Sequence, residues 1–87
     1  MDDSRSSAEE DTAMESAVLQ QLLALHPVQL TLAELAREVT DNPEQFAQRD
    51  AVERAVRELA SAGLVHRGSD FVVPTRAALR FDELLGL

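Results

Sequence analysis

Six arginines between residues 49 and 80 carry the clearest chemistry of this chain. A guanidinium is planar, permanently charged and forked, so its donors match the oxygens of a phosphate or the edge of a guanine. Arg49, Arg54, Arg57, Arg67, Arg76 and Arg80 outnumber Asp50, Glu53, Glu58 and Asp70, a local net of +2 on a chain of formal charge -8. The same stretch has a blander reading. Asp50 and Arg54, Glu53 and Arg57, and Arg54 and Glu58 each stand four apart with opposite sign. At that spacing helical side chains pair for about 0.2 to 0.5 kcal/mol, which leaves a self-neutralised face.

Other chemistry is sparse. His26 and His66 stand 40 positions apart without a local set of carboxylates, so no metal site is expected. His26 is expected to meet carbonyls at a helix end, and His66 to be half exposed. Glu9, Glu10 and Asp11 have no apolar wall to raise a carboxyl pKa, which makes them solvated charges rather than an acid-base pair. With no cysteine, no glycine-rich phosphate loop and no Ser-His-acid grouping, neither an enzyme nor a cofactor is expected.

The elements that must position the arginines follow from spacing. Val52, Val56, Leu59 and Ala60 recur at three- and four-residue intervals, opposite Arg54, Arg57, Glu58 and Ser61, which predicts an amphipathic helix. Asp50 and Glu53 are spaced as a start signal, and Gly63 is the stop because it can take the left-handed conformation that closes a helix. Val65–Arg67 and Phe71–Val73 then read as two strands around Gly68, Ser69 and Asp70, ended by Pro74, which has no N–H. Upstream, Thr12 and Glu15 have capping-box spacing before the stripe Val18, Leu19, Leu22 and Leu25, which stops before Pro27. Val28–Leu30 forms a short strand that could pair with the hairpin. Thr31 and Glu34 repeat the capping box, with Leu30 and Leu35 as a hydrophobic staple and Leu32, Leu35, Ala36 and Val39 inward. Asp41, Asn42 and Pro43 make a turn, and Phe46 is an apolar anchor. The helix that follows is either a separate turn at Pro43–Ala47 or one helix from Pro43 to Ala62. Thr75 caps a last helix that Gly86 terminates.

Eighty-seven residues make one small domain, which buries only about 60% of its unfolded surface. Residues 1 to 15 hold six carboxylates against Arg5, a net of -5. Residues 1–11 have almost nothing apolar to offset the entropy of ordering, so they are expected to be a disordered acidic tail ahead of a folded domain over 12–87. The start lacks the basic and apolar regions of a secretory signal, and no apolar run approaches the ~20 residues of a membrane helix. A cytoplasmic protein without membrane contact is the expectation.

The order helix, short strand, helix, helix, hairpin, helix over residues 12 to 87 resembles the winged helix-turn-helix superfamily of bacterial transcription regulators, a mainly α fold with a small β-hairpin. RAVRELASAGLVHR, Arg54 to Arg67, carries the resemblance most specifically. It looks like the recognition-helix end and first wing strand of small MarR- and ArsR-type regulators. LTLAELAREV, Leu30 to Val39, looks like the positioning helix. The long acidic link between the helices and the acidic tail depart from the usual pattern. The resemblance implies a third helix in the major groove of DNA, with Arg49, Ala51, Arg54 and Arg57 near bases or phosphates and Arg67 on the backbone. It also sets Glu53 on the outward face, where a carboxylate would meet phosphate.

A second reading keeps the fold but makes it a protein-interaction module. The last helix has more apolar positions than a small core needs: Leu79 and Leu84 are expected to pack within the monomer, whereas Leu85 and Leu87 suit a partner surface or a homodimer through the terminal helices. A third makes the tail a polyanion that covers the basic face or imitates nucleic acid toward another protein.

Overall fold

Apolar spacing selects one buried face on each of three helices, and those faces meet a short hairpin. The computed structural model describes residues 3–40 and 45–86, with side chains from residue 8 onward. The elements are α1 (Asp3–Leu25), α2 (Leu32–Val39), α3 (Phe46–Ser61), β1 (Val65–Arg67), β2 (Val72–Pro74) and α4 (Arg76–Leu85). The fold is therefore mainly helical, with a two-stranded antiparallel hairpin.

Val18 and Leu22 of α1, Leu35 of α2, Val52 and Val56 of α3 and Val72 of β2 are almost fully buried and form the centre of the core. Leu19, Leu25, Leu32 and Val39, expected inward, pack on its edge. Ala55 is a core residue that the apolar spacing did not pick out. It stands three after Val52 and four before Leu59, so it completes their stripe, and its small size suits the close contact of α3 with α1.

Two helix starts differ from expectation. Thr12 does not open α1; the helix runs back to Asp3, and the Thr12 hydroxyl donates to the Ala8 carbonyl (3.0 Å) inside it. Glu9, Glu10 and Asp11 thus lie in the second and third turns of a helix, past the reach of its N-terminal dipole. Nor does Asp50 open α3. That helix starts at Phe46, close to the longer of the two alternatives, and Asp50 is inside it. The turn expected at Asp41–Pro43 lies outside the described residues, and Phe46 is no anchor, being 83% exposed.

The capping box of α2 is complete: the Thr31 N–H donates to Glu34 Oε1 (2.9 Å) and the Glu34 N–H to Thr31 Oγ1 (3.1 Å). Leu30 and Leu35 are both buried beside it, as a staple requires.

At the other end of α3 the chain turns through Gly63, whose φ of 83° is a conformation that a Cβ disfavours. The Gly63 N–H donates to the Ala60 carbonyl (3.1 Å) and the Leu64 N–H to the Leu59 carbonyl (2.9 Å), the paired bonds of a Schellman stop. The Thr75 hydroxyl donates to the Gly63 carbonyl (2.7 Å) and accepts from the Ala78 N–H (3.2 Å), so one side chain fastens the end of α3 to the start of α4.

The hairpin pairs Val65 with Pro74, His66 with Val73 and Arg67 with Val72. Phe71, expected in the second strand, lies outside it, and its carbonyl accepts from the Gly68 N–H (2.9 Å) to close the turn. Pro74, expected beyond the strand, is its last residue. The reason is the alternation of an antiparallel ladder. The Gly68-to-Phe71 and Thr75-to-Leu64 bonds flank the hairpin, so Pro74 and Val72 occupy positions whose nitrogens face away from β1. Val72 uses that direction to donate to the Leu30 carbonyl (2.8 Å), and Pro74 has nothing to donate. The strand expected at Val28–Leu30 is accordingly a single bridge, Leu30 to Val72.

Packing of α4 differs most from expectation. Its buried residue is Ala78; Leu79 is half buried, and Leu84 is 48% exposed rather than part of the core. A small residue at the contact lets α4 approach the domain on one narrow edge, which leaves the rest of its apolar stripe outside.

Candidate nucleic-acid interface

The buried stripe of α3 turns the opposite face of that helix, with Asp50, Glu53, Arg54 and Arg57, toward solvent. The core positions Val56 and Leu59 and the Schellman turn set the direction in which β1 leaves, and β1 carries Arg67 back past α3.

Arg57 and Arg67 come together. Arg57 Nη2 is 3.8 Å from Glu53 Oε1, and Arg67 Nη2 is 3.9 Å from the same oxygen. Two guanidinium groups, one from the helix and one from the hairpin, therefore share a single carboxylate oxygen. All three side chains are well exposed, and pairs of this kind contribute about 0.2 to 1 kcal/mol each.

Arg54 pairs with other carboxylates. Its Nη1 donates to Asp50 Oδ2, and its Nη2 lies 3.5 Å from Asp11 Oδ1 on α1. The expected pairing of Arg54 with Glu58 gives way to this long-range contact, because the first turns of α1 run along the flank of α3. Ala51 lies on that flank too. It is half buried and lines the groove of about 360 Å³ between α1 and α3, which Arg54 and Arg57 line as well. Arg49 is exposed on the other flank, at a groove of about 390 Å³ bordered by Leu32 and Ala36 of α2 and by Phe46. Among the described residues it has no acidic partner.

His26 is exposed after α1 and makes no hydrogen bond to that helix's carbonyls among the described residues; the Val28 N–H takes the Leu25 carbonyl instead (2.8 Å). His66 is exposed on β1. Among the described residues no three His, Asp or Glu side chains group as metal ligands. On α2, the Thr31 N–H and hydroxyl bonds hold the Glu34 carboxyl below its ordinary value.

A separate apolar surface stands on α4. Phe81 is 61% and Leu85 70% exposed, and with Ala77 and Leu84 they follow helical spacing along one side. Leu87 lies outside the described residues. No helix among the described residues is long and apolar enough to cross a membrane.

No family model, curated protein or solved structure matches the chain. The functional reading therefore rests on these side chains and on the elements that hold them.

Proposed function

We propose that this chain is a winged helix-turn-helix module of the small bacterial regulator type that binds duplex DNA in the cytoplasm, with α2 and α3 as its paired helices and the hairpin as its wing. The observation that carries the reading is the convergence of Arg57 and Arg67, which gives two elements one shared anion position. DNA recognition of this type draws on a helix for the groove and on neighbouring cations for the backbone. Arg49, in the first turn of α3, adds a cation with no acidic partner among the described residues. Ala51 lines a groove with Arg57 and stays a candidate contact of this face.

The test is a titration of labelled duplex DNA by fluorescence anisotropy at several salt concentrations. Replacing Arg57 and Arg67 together by Ala is expected to weaken binding about a hundredfold without loss of helicity, and to lower the slope of log affinity against log salt by about two contacts. Unchanged binding in the double variant would remove α3 and the hairpin as the DNA face.

A second reading has its own support. The exposed stripe of Ala77, Phe81, Leu84 and Leu85 on α4 suits a protein partner or a second copy of the chain, and the carboxylates among the arginines suit a protein better than a polyanion. Salt separates the two, since an apolar interface should keep its strength where a DNA complex dissociates.

A further inference from the structure

The place of Glu53 between two arginines has a meaning beyond simple neutralisation. We propose that Arg57 and Arg67 form a two-arginine phosphate site and that Glu53 is its internal occupant, exchanged for a backbone phosphate when the domain binds DNA; this rests on the DNA-binding reading above.

Three observations carry it. First, the two guanidinium groups reach one oxygen of Glu53 from different elements, at 3.8 and 3.9 Å. A carboxylate and a phosphodiester both carry one negative charge on a pair of oxygens, so the forked donors that accept one accept the other. Second, the site is open: Glu53, Arg57 and Arg67 are each more than 40% exposed, so an incoming phosphate meets no wall and the existing pairs are weak. Third, the exchange needs side-chain motion alone. Val56 and Leu59 of α3 and Val65 of β1 are buried in one core, and the bonds of the Gly63 turn join the two elements. Glu53 needs only to swing away from guanidinium groups whose backbones stay fixed.

Two other carboxylates near this face are differently engaged. Asp50 and Asp11 hold Arg54, which leaves Glu53 as the acid that meets both Arg57 and Arg67. Its charge sets a threshold for binding: a weak or isolated phosphate loses to the tethered carboxylate, and a duplex that supplies further contacts wins.

The experiment uses the full chain and a short labelled duplex of mixed sequence. Glu53→Gln keeps the shape of the side chain and removes its charge. It is expected to tighten binding roughly tenfold and to steepen the salt dependence by about one contact. Asp82→Asn makes the same change of net charge on α4 and should shift affinity less than about twofold. Adding Arg67→Ala to Glu53→Gln should abolish the gain.

If wild type and every variant fail to bind at low salt, the DNA-binding reading itself falls, and the exchange with it. If wild type binds through Arg57 and Arg67 but Glu53→Gln binds no tighter, or Asp82→Asn gains as much, the exchange is overturned while the DNA-binding reading stands. Circular dichroism of each variant confirms that the fold is retained, and Glu53→Ala repeats the charge removal with a different side chain.

Discussion

At the scale of single residues, Gly63 links helix, hairpin and candidate site. Its φ of 83° lies in the left-handed region, yet a Cβ added there would meet no atom within 4 Å. The cost of a side chain is therefore conformational rather than steric. Gly63→Ala is expected to destabilise the domain by about 1 kcal/mol, measured by urea denaturation. A loss of several kcal/mol would indicate that the turn does more than end α3. This residue was legible from the sequence because its signal is local: apolar spacing up to Ala60, then glycine, then leucine. The partner of Arg54 was not. Asp50, four residues before it, was readable from spacing, but Asp11 stands 43 positions away and reaches Arg54 through the packing of α1 on α3.

Elements show the same division between local and tertiary causes. The Thr31–Glu34 box and its staple were readable because all four groups lie within six residues of chain. The start of α1 was not, since a threonine within a helix can bond back to a carbonyl four residues earlier as readily as it can cap. The exposure of Leu84 depends on where α4 touches the domain, which no periodicity states. Convergence of Arg57 and Arg67 likewise needs the angle at which the hairpin returns. The box itself yields a pH prediction. The Thr31 N–H, then its hydroxyl, lower the Glu34 pKa from an ordinary 4.5. A depressed folded pKa contributes stability above the unfolded value and loses it as pH falls through the folded one. Acidification below about 4.5 should therefore weaken α2 more in wild type than in Glu34→Gln, whose amide oxygen can keep the Thr31 bond without titrating. Equal acid sensitivity of the two proteins in parallel denaturation series would show that the box does not respond to this proton.

At the scale of the whole molecule, the distribution of charge decides how strongly any polyanion is met. Residues 1–11 hold five carboxylates against Arg5, half of the net -8. The helix that carries four of them, Asp3, Glu9, Glu10 and Asp11, packs on α3, and Asp11 holds Arg54 there. Removing them should have two separable effects. Stability should change little, because the core contribution of α1 begins at Met14 and Val18, and Thr12 with Glu15 would then stand free to act as the capping box that the intact helix does not use. DNA affinity should rise severalfold, because the field of the tail and its hold on Arg54 are lost together. Thermal unfolding and duplex titration of residues 12–87 against the full chain distinguish the cases. A truncated chain that unfolds many degrees lower would make the first turns of α1 a structural support of α3. One that is equally stable but binds no better would mean that Asp11 and its neighbours act as solvated charges without bearing on the arginine face.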